Sequence, residues 1–208
     1  MAQIITINKN DELFPDSFKA IGEDCPERIY AMGNIDLLKS EHKVAIIGSR
    51  NATRAGISKA YDQGLEYARK GYVVVSGLAI GCDAAAHRGC MAGGAGTIAI
   101  VATGLDLVHP KENIPLQEEI LRKGGLILSE QPLRVKANPT RLVARNRLQA
   151  ALSDEVVVAE CPVHSGTMHT VRYAQKYGKT IKAAMFPYNK EENSGNSYII
   201  NSGIGIGI

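Results

Sequence analysis

Tryptophan is absent and phenylalanine occurs only three times, so any stacking on bases would have to rest on a few Tyr or Phe rings or on arginine planes. No apolar run reaches the length of a membrane-spanning helix, and the opening "MAQIITINKNDELFPDSF" has neither the basic start nor the long apolar segment of a secretion signal. These absences predict a soluble, cytoplasmic protein with no membrane partner. The four cysteines, Cys25, Cys82, Cys90 and Cys161, show no C-x-x-C spacing, which argues against a disulfide framework or a zinc site and for reduced, structural thiols. The five histidines have no metal-ligand spacing, and no serine stands in a G-x-S-x-G elbow, so neither a metal, a cofactor nor a catalytic triad is expected. Neither G-x-G-x-x-G nor G-x-x-x-x-G-K-[ST] occurs, which disfavours a dinucleotide or a P-loop triphosphate. A formal net charge of +3 is too small to announce a polyanion partner by itself. Acidic residues, however, are missing between Glu130 and Asp154, where Arg134, Lys136, Arg141, Arg145 and Arg147 fall.

What is present is a repeated strand and helix pattern. Near-continuous apolar runs at 43–49, 72–77, 97–104, 126–131, 155–161 and 180–186 are what strands covered on both faces require. Between the first two, Ile57, Ala60, Tyr61, Gly64, Leu65 and Ala68 make one apolar helix stripe. About five such units predict an α/β fold, a doubly wound and mostly parallel sheet with helices on both faces. Residues 1–40 read as a lead-in packed on that core, with a short helix, an edge strand at Arg28–Met32 and a turn at Gly33; residues 41–208 read as the main domain. The glycine-rich tail after Tyr188 reads as an irregular strap or a final short strand, or as frayed chain.

In an open parallel sheet, ligands collect beyond the carboxyl ends of the strands. The loops there are "GSRNATRAG" (48–56), "SGLAIGCDAAAH" (76–87), "ATGLDLVHPKEN" (102–113) and "PVHSGTMHT" (162–170), with glycine beside serine or threonine. Such loops close backbone amides and hydroxyls on a phosphate, so an anion pocket is expected, with Arg50 at its mouth. The segment 139–154 reads as a loop entering a helix, with Leu142, Leu148 and Leu152 inward and Arg141, Arg145 and Asn146 on the exposed edge; several cations there suit a phosphate backbone. Asp83 reads as an N-cap, and His87 as a hydrogen-bonding group at a helix surface.

Eight stretches, in order, resemble the DNA-processing protein A family, also called DprA or Smf, within the superfamily that includes the Lonely Guy proteins. They are "ERIYAMGNIDLL", "VAIIGSRNATRAG", "GYVVVSGLAIGCDAAAHRG", "TIAIVATGLDLVHPKEN", "LILSEQP", "RNRLQAALSDEVVVAE", "SGTMHTVRYAQKYGK" and "SGNSYIINSG". The resemblance implies an extended Rossmann fold that dimerises, binds single-stranded DNA and helps load the RecA recombinase during natural transformation. By position it implies a phosphate or strand site built from Gly48, Ser49, Arg50, Ser76, Gly77, Lys111, Asn113, Arg145, Asn146, Arg147, Ser165, Gly166 and Thr167. Ile80 and Ala144 stand where the family usually has arginine, which removes two cations. Thr170 stands where the hydrolases of the superfamily carry a glutamate, so a non-enzymatic role is expected. A sensor of a free nucleotide or nucleotide derivative is the alternative from another class, and a phosphoribohydrolase the third.

Overall fold

The computed structural model describes residues 3–208. The chain begins with β1 (Ile4–Asn8), a one-turn α1 (Asp16–Lys19) and β2 (Arg28–Gly33). Then come β3 (Lys43–Ile47), α2 (Arg54–Arg69), β4 (Val73–Ser76), α3 (Cys82–Ala92), β5 (Thr97–Val101), α4 (Ile114–Arg122) and β6 (Leu126–Ser129). The second half holds α5 (Pro139–Leu152), β7 (Glu155–Val158), α6 (Thr167–Lys176), β8 (Thr180–Ala183), α7 (Ser194–Asn201) and β9 (Ile206–Gly207). Their order in the sheet is β1-β2-β6-β5-β4-β3-β7-β8-β9. The seven strands from β6 across to β9 pair in parallel, and β2 joins β6, and β1 joins β2, antiparallel.

The apolar runs of β3 to β7 become strands because both of their faces are covered. Val73 and Val75 enter one core with Leu148 and Leu152 of α5 and Phe18 of α1, whereas Val74 between them enters another with Tyr67 of α2 and Ala86 of α3. Val156 and Val158 likewise face Val171 of α6 while Val157 faces the α2–α3 side. Alternate residues thus feed opposite layers, as the two-residue period of a strand demands. From β3 the chain winds first one way, through β4, β5 and β6, and then the other, through β7 and β8, so the switch point lies between β3 and β7.

Two expectations need correction. The strand over Arg28–Met32 exists as β2, but it is interior, and the sheet edge is β1, whose half-exposed alternating residues carry no continuous apolar run. The lead-in therefore extends the sheet itself through β1 and β2. Second, α2 buries Gly56, Ala60, Gly64, Tyr67 and Ala68, leaving Ile57 and Tyr61 exposed. Its smallest face goes inward, because α3 approaches so closely that a Cβ on Gly64 would overlap the Ala86 carbonyl, and one on Gly89 the Tyr61 carbonyl. Of the readings of the tail, the final short strand is the one observed, as β9, and α7 precedes it. The buried Asn196 fixes the tail, accepting from the Cys161 amide (2.9 Å) and donating to the carbonyls of Val158, Ala159 and Ala184 (3.0–3.2 Å).

All four cysteines are buried free thiols, and burial pushes Cys82 up to about 12 and Cys90 and Cys161 to about 11. As thiols rather than thiolates they are poor nucleophiles and metal ligands. Among the described residues, no helix is long and apolar enough to cross a membrane.

Candidate nucleic-acid interface

At the switch point a cleft of about 430 Å³ opens between the loops that follow β3 and β7, with α5 as its opposite wall. Gly48, Ser49 and Arg50 line it from the first loop, Ser165, Gly166 and Thr167 from the second, and Arg145 and Asn146 from α5. Eight of the thirteen site residues expected from the sequence therefore meet directly at one place.

The loop after β3 is rigid. The Ser49 amide donates to the Glu160 carbonyl (2.7 Å), the Ser49 carbonyl accepts from the Cys82 amide (3.2 Å), and a Cβ on Gly48 would overlap Cys82. Its helix terminus is not free, however. Thr53 caps α2 by accepting from the Gly56 amide (3.1 Å), and the 1 %-exposed Glu160 carboxylate accepts from the Thr53 amide (2.6 Å) and hydroxyl (2.7 Å). That carboxylate already answers the positive end of α2, so an incoming anion meets only the strand end and the Arg50 side chain there. Sequence reasoning did not single out Glu160; the signal was a carboxylate closing the buried run "EVVVAE", which requires a partner.

The start of α6 is different. Gly166 precedes it with no side-chain cap, and Ser165, Gly166, Thr167 and Thr170 all face the cleft. Of the amides there, those of Met168 and His169 donate to the Ser165 (3.1 Å) and Gly166 (3.2 Å) carbonyls, which leaves the Gly166 and Thr167 amides as the open anion-binding groups of the site. Asn146 donates to the Gly166 carbonyl (3.3 Å), linking this terminus to α5.

Arg145 is expected on an exposed edge, yet it is 5 % exposed, its guanidinium so close to Gly77 that any Cβ there would overlap it. With its amide oriented to suit its neighbours, Gln149 accepts from Arg145 Nη1 (2.6 Å) and from the Gly77 amide (2.8 Å). Arg145 Nε has no protein partner. Burial lowers Arg145 to about 10, the Asp83 charge opposing the fall and the Arg50 charge adding to it, so the group stays cationic at neutral pH. Asp83 is not the cap of α3, a place taken by Gly81 at φ +79°; its Oδ2 instead accepts from the Gly77 (3.1 Å) and Ala79 (3.3 Å) amides. Burial pushes the Asp83 carboxyl up, and Arg145 and these amides pull it back. His87 is likewise not at a surface but fully buried, against Thr97.

The remaining expected residues support the site or lie outside it. Ser76 is buried beneath the floor, donating to the Ile46 carbonyl (2.7 Å). Gly77 lies under Arg145 and lines a smaller cavity of about 150 Å³ with Ala79, Ile80, His109, Pro110 and Leu142, next to the cleft. Asn113 is buried and donates to the Leu78 carbonyl (2.9 Å), which fixes that loop where Leu78 has φ +60°. Lys111 is exposed on the turn after Pro110 and forms no ion pair among the described residues. Arg147, two residues past Arg145, points away round the helix: it pairs with Glu130 (2.5 and 2.8 Å) and donates to the Asp24 carbonyl (2.8 Å). It ties α5 to the N-terminal segment and is removed from the expected strand contacts. Among the described residues, no cluster of three His, Cys, Asp or Glu side chains could hold a metal.

The same architecture occurs in known proteins. A solved DNA processing protein A from Helicobacter pylori, described for its single-stranded DNA binding mode, superposes with a TM-score of 0.89 at 33% identity, covering 100% of this chain and 93% of that one. The crystal structure of DprA from Streptococcus pneumoniae gives a TM-score of 0.91 at 32% identity over 99% of this chain and 71% of that one. In sequence, Protein Smf of Synechocystis is 35% identical across 86% of this chain and DprA of S. pneumoniae strain R6 38% identical across 83%; the chain spans 45% and 60% of their lengths. The model of the family described as DNA recombination-mediator protein A matches residues 4–206, and the chain belongs to that family.

Proposed function

We propose that the cleft binds single-stranded DNA without catalysing its cleavage, seating one backbone phosphate between the start of α6 and the Arg50 and Arg145 cations. The observation that carries this reading is the cationic Arg145, which lies in the cleft wall beside Arg50 and faces an uncapped helix terminus. The H. pylori relative's single-stranded DNA binding supports the same assignment. A non-enzymatic role fits the lining: Thr170 occupies the position of the hydrolase glutamate, and Asp83, the one acid in the lining among the described residues, is engaged by two amides. The role that follows is a cytoplasmic recombination mediator that delivers strands to a RecA-type recombinase.

Arg50→Ala is expected to weaken binding of a labelled oligonucleotide about tenfold to a hundredfold, the worth of one charge-assisted contact, and to flatten the salt dependence by about 0.7 in log–log slope. Fluorescence anisotropy at several salt concentrations checks both. Ready displacement by a mononucleotide, with little salt slope, would instead favour the nucleotide sensor.

We also assign homodimerisation to the β9 edge. The sheet ends there, and Met185, Tyr198 and Ile206 are 49–58% exposed around it. An unpaired strand edge ringed by apolar side chains favours pairing with a second copy. Ile206→Asp is expected to convert the dimer to monomer in sedimentation equilibrium; a dimer of unchanged strength removes this surface.

A further inference from the structure

The cleft does not end at Thr170. Its α5 wall continues through Pro139 and Val143 into a shallow depression, completed by Thr140, Ala144 and, from α6, Tyr173. Thr170 lines the cleft and Tyr173 the depression, three residues further along the same helix. That spacing is about 4.5 Å along the axis, comparable to one nucleotide step of about 3.4 Å in a stacked strand. Tyr173 is the one aromatic ring in either lining among the described residues.

The ring is held ready. Tyr173 stacks on Tyr177, with centroids 5.9 Å apart and planes inclined by 23°, and the Tyr177 hydroxyl donates to Asp24 (2.7 Å). Tyr173 also packs against the core beneath α6, so little side-chain freedom remains to be lost on binding. Across from it, the small Ala144 leaves room above the ring. Lys176, one turn on, is already paired with Asp24.

Resting on the single-stranded DNA reading of the cleft, we propose that Tyr173 is a stacking seat for the base of the nucleotide adjoining the one whose phosphate the cleft holds. Every base offers a π-face, so such a seat lengthens the binding site without demanding sequence. It is built from a residue type that the sequence supplies sparingly.

The test compares unlabelled thymidine oligonucleotides of one, two, four and eight residues as competitors against a labelled strand. Tyr173→Ala is expected to lower the ratio of dinucleotide to mononucleotide affinity about tenfold, within the 1–3 kcal/mol range of base–aromatic stacking, and Tyr173→Phe to restore it. Ala144→Leu, which covers the ring from the α5 side, is expected to give the same loss and serves should Tyr173→Ala fold poorly. An unchanged ratio in Tyr173→Ala and Ala144→Leu, with Arg50→Ala still impaired, overturns the seat and leaves the cleft reading standing. Equal loss at every length, the mononucleotide included, also overturns it. Failure of the wild-type protein to bind any strand overturns both.

Discussion

Asp83→Ala is expected to cost about 1–3 kcal/mol of stability, the usual penalty for leaving a buried polar group without its partner. Three groups depend on this carboxylate. It accepts from the Gly77 and Ala79 amides, and its charge acts on Arg145, which is 5 % exposed and otherwise meets only Gln149 by Nη1. Truncation leaves Ala79 unpartnered and a guanidinium buried without a counter-charge. Urea denaturation of the wild type, Asp83→Ala and Asp83→Asn separates the contributions, since asparagine keeps an acceptor for the amides but not the charge. A loss under about 1 kcal/mol in Asp83→Ala would show that Arg145 is stabilised by solvent and not by this carboxylate. The same variant should weaken strand binding, because Arg145 and the loop after β4 lose their common anchor.

The sheet was legible because a strand buried on both faces must be apolar at nearly every position, and the five runs that became β3 to β7 meet that demand, while β8 alternates, burying Ile181 and Ala183. β1 and α7 were not, because each buries only part of its surface: β1 alternates at an edge, and α7 is fixed largely by the single long-range residue Asn196. The α2 stripe was misjudged because apolarity alone does not select a face when glycine lets another helix approach; Gly64 and Gly89 decided it. At the site, Gly48, Ser49, Arg50, Ser165, Gly166 and Thr167 were legible because strand ends and loop glycines are local features. Arg147 was not, since its partner Glu130 and the Asp24 carbonyl lie 17 and 123 residues away. Ser76 and Asn113 were drawn to the site by their neighbours in sequence, yet each spends its polar group on a carbonyl of the scaffold. Arg145 was placed at the cleft and misjudged in burial, because only the three-dimensional path of the Gly77 backbone makes room for it beneath the surface.

His87 should make the stability of the protein depend on pH in a range where carboxylates do not yet titrate. Thr97 Oγ1 donates to the Val74 carbonyl (2.7 Å), so it accepts from His87 Nδ1 (2.8 Å), which places the ring proton there and leaves Nε2 buried with no partner. Burial, reinforced by the charges of Arg145 and Arg88, lowers His87 from 6.5 to about 3. The unfolded chain therefore binds the extra proton first on acidification. The contribution of the neutral ring is complete above about pH 6.5 and is lost progressively as pH falls toward 3, by about a factor of ten in the folding constant per pH unit. Over the whole window this is on the order of 5 kcal/mol, and between pH 7 and 5.5 about 1–1.5 kcal/mol. Denaturation of the wild type at these two pH values should show that loss, and His87→Gln, which can still donate to Thr97, should show none. Equal stability of the wild type at both would mean that the imidazole takes up its proton without disturbing the fold, through water reaching Nε2. The loss matters for the site as well, because a second buried cation under α3 would repel Arg145 and loosen the wall of the cleft from below.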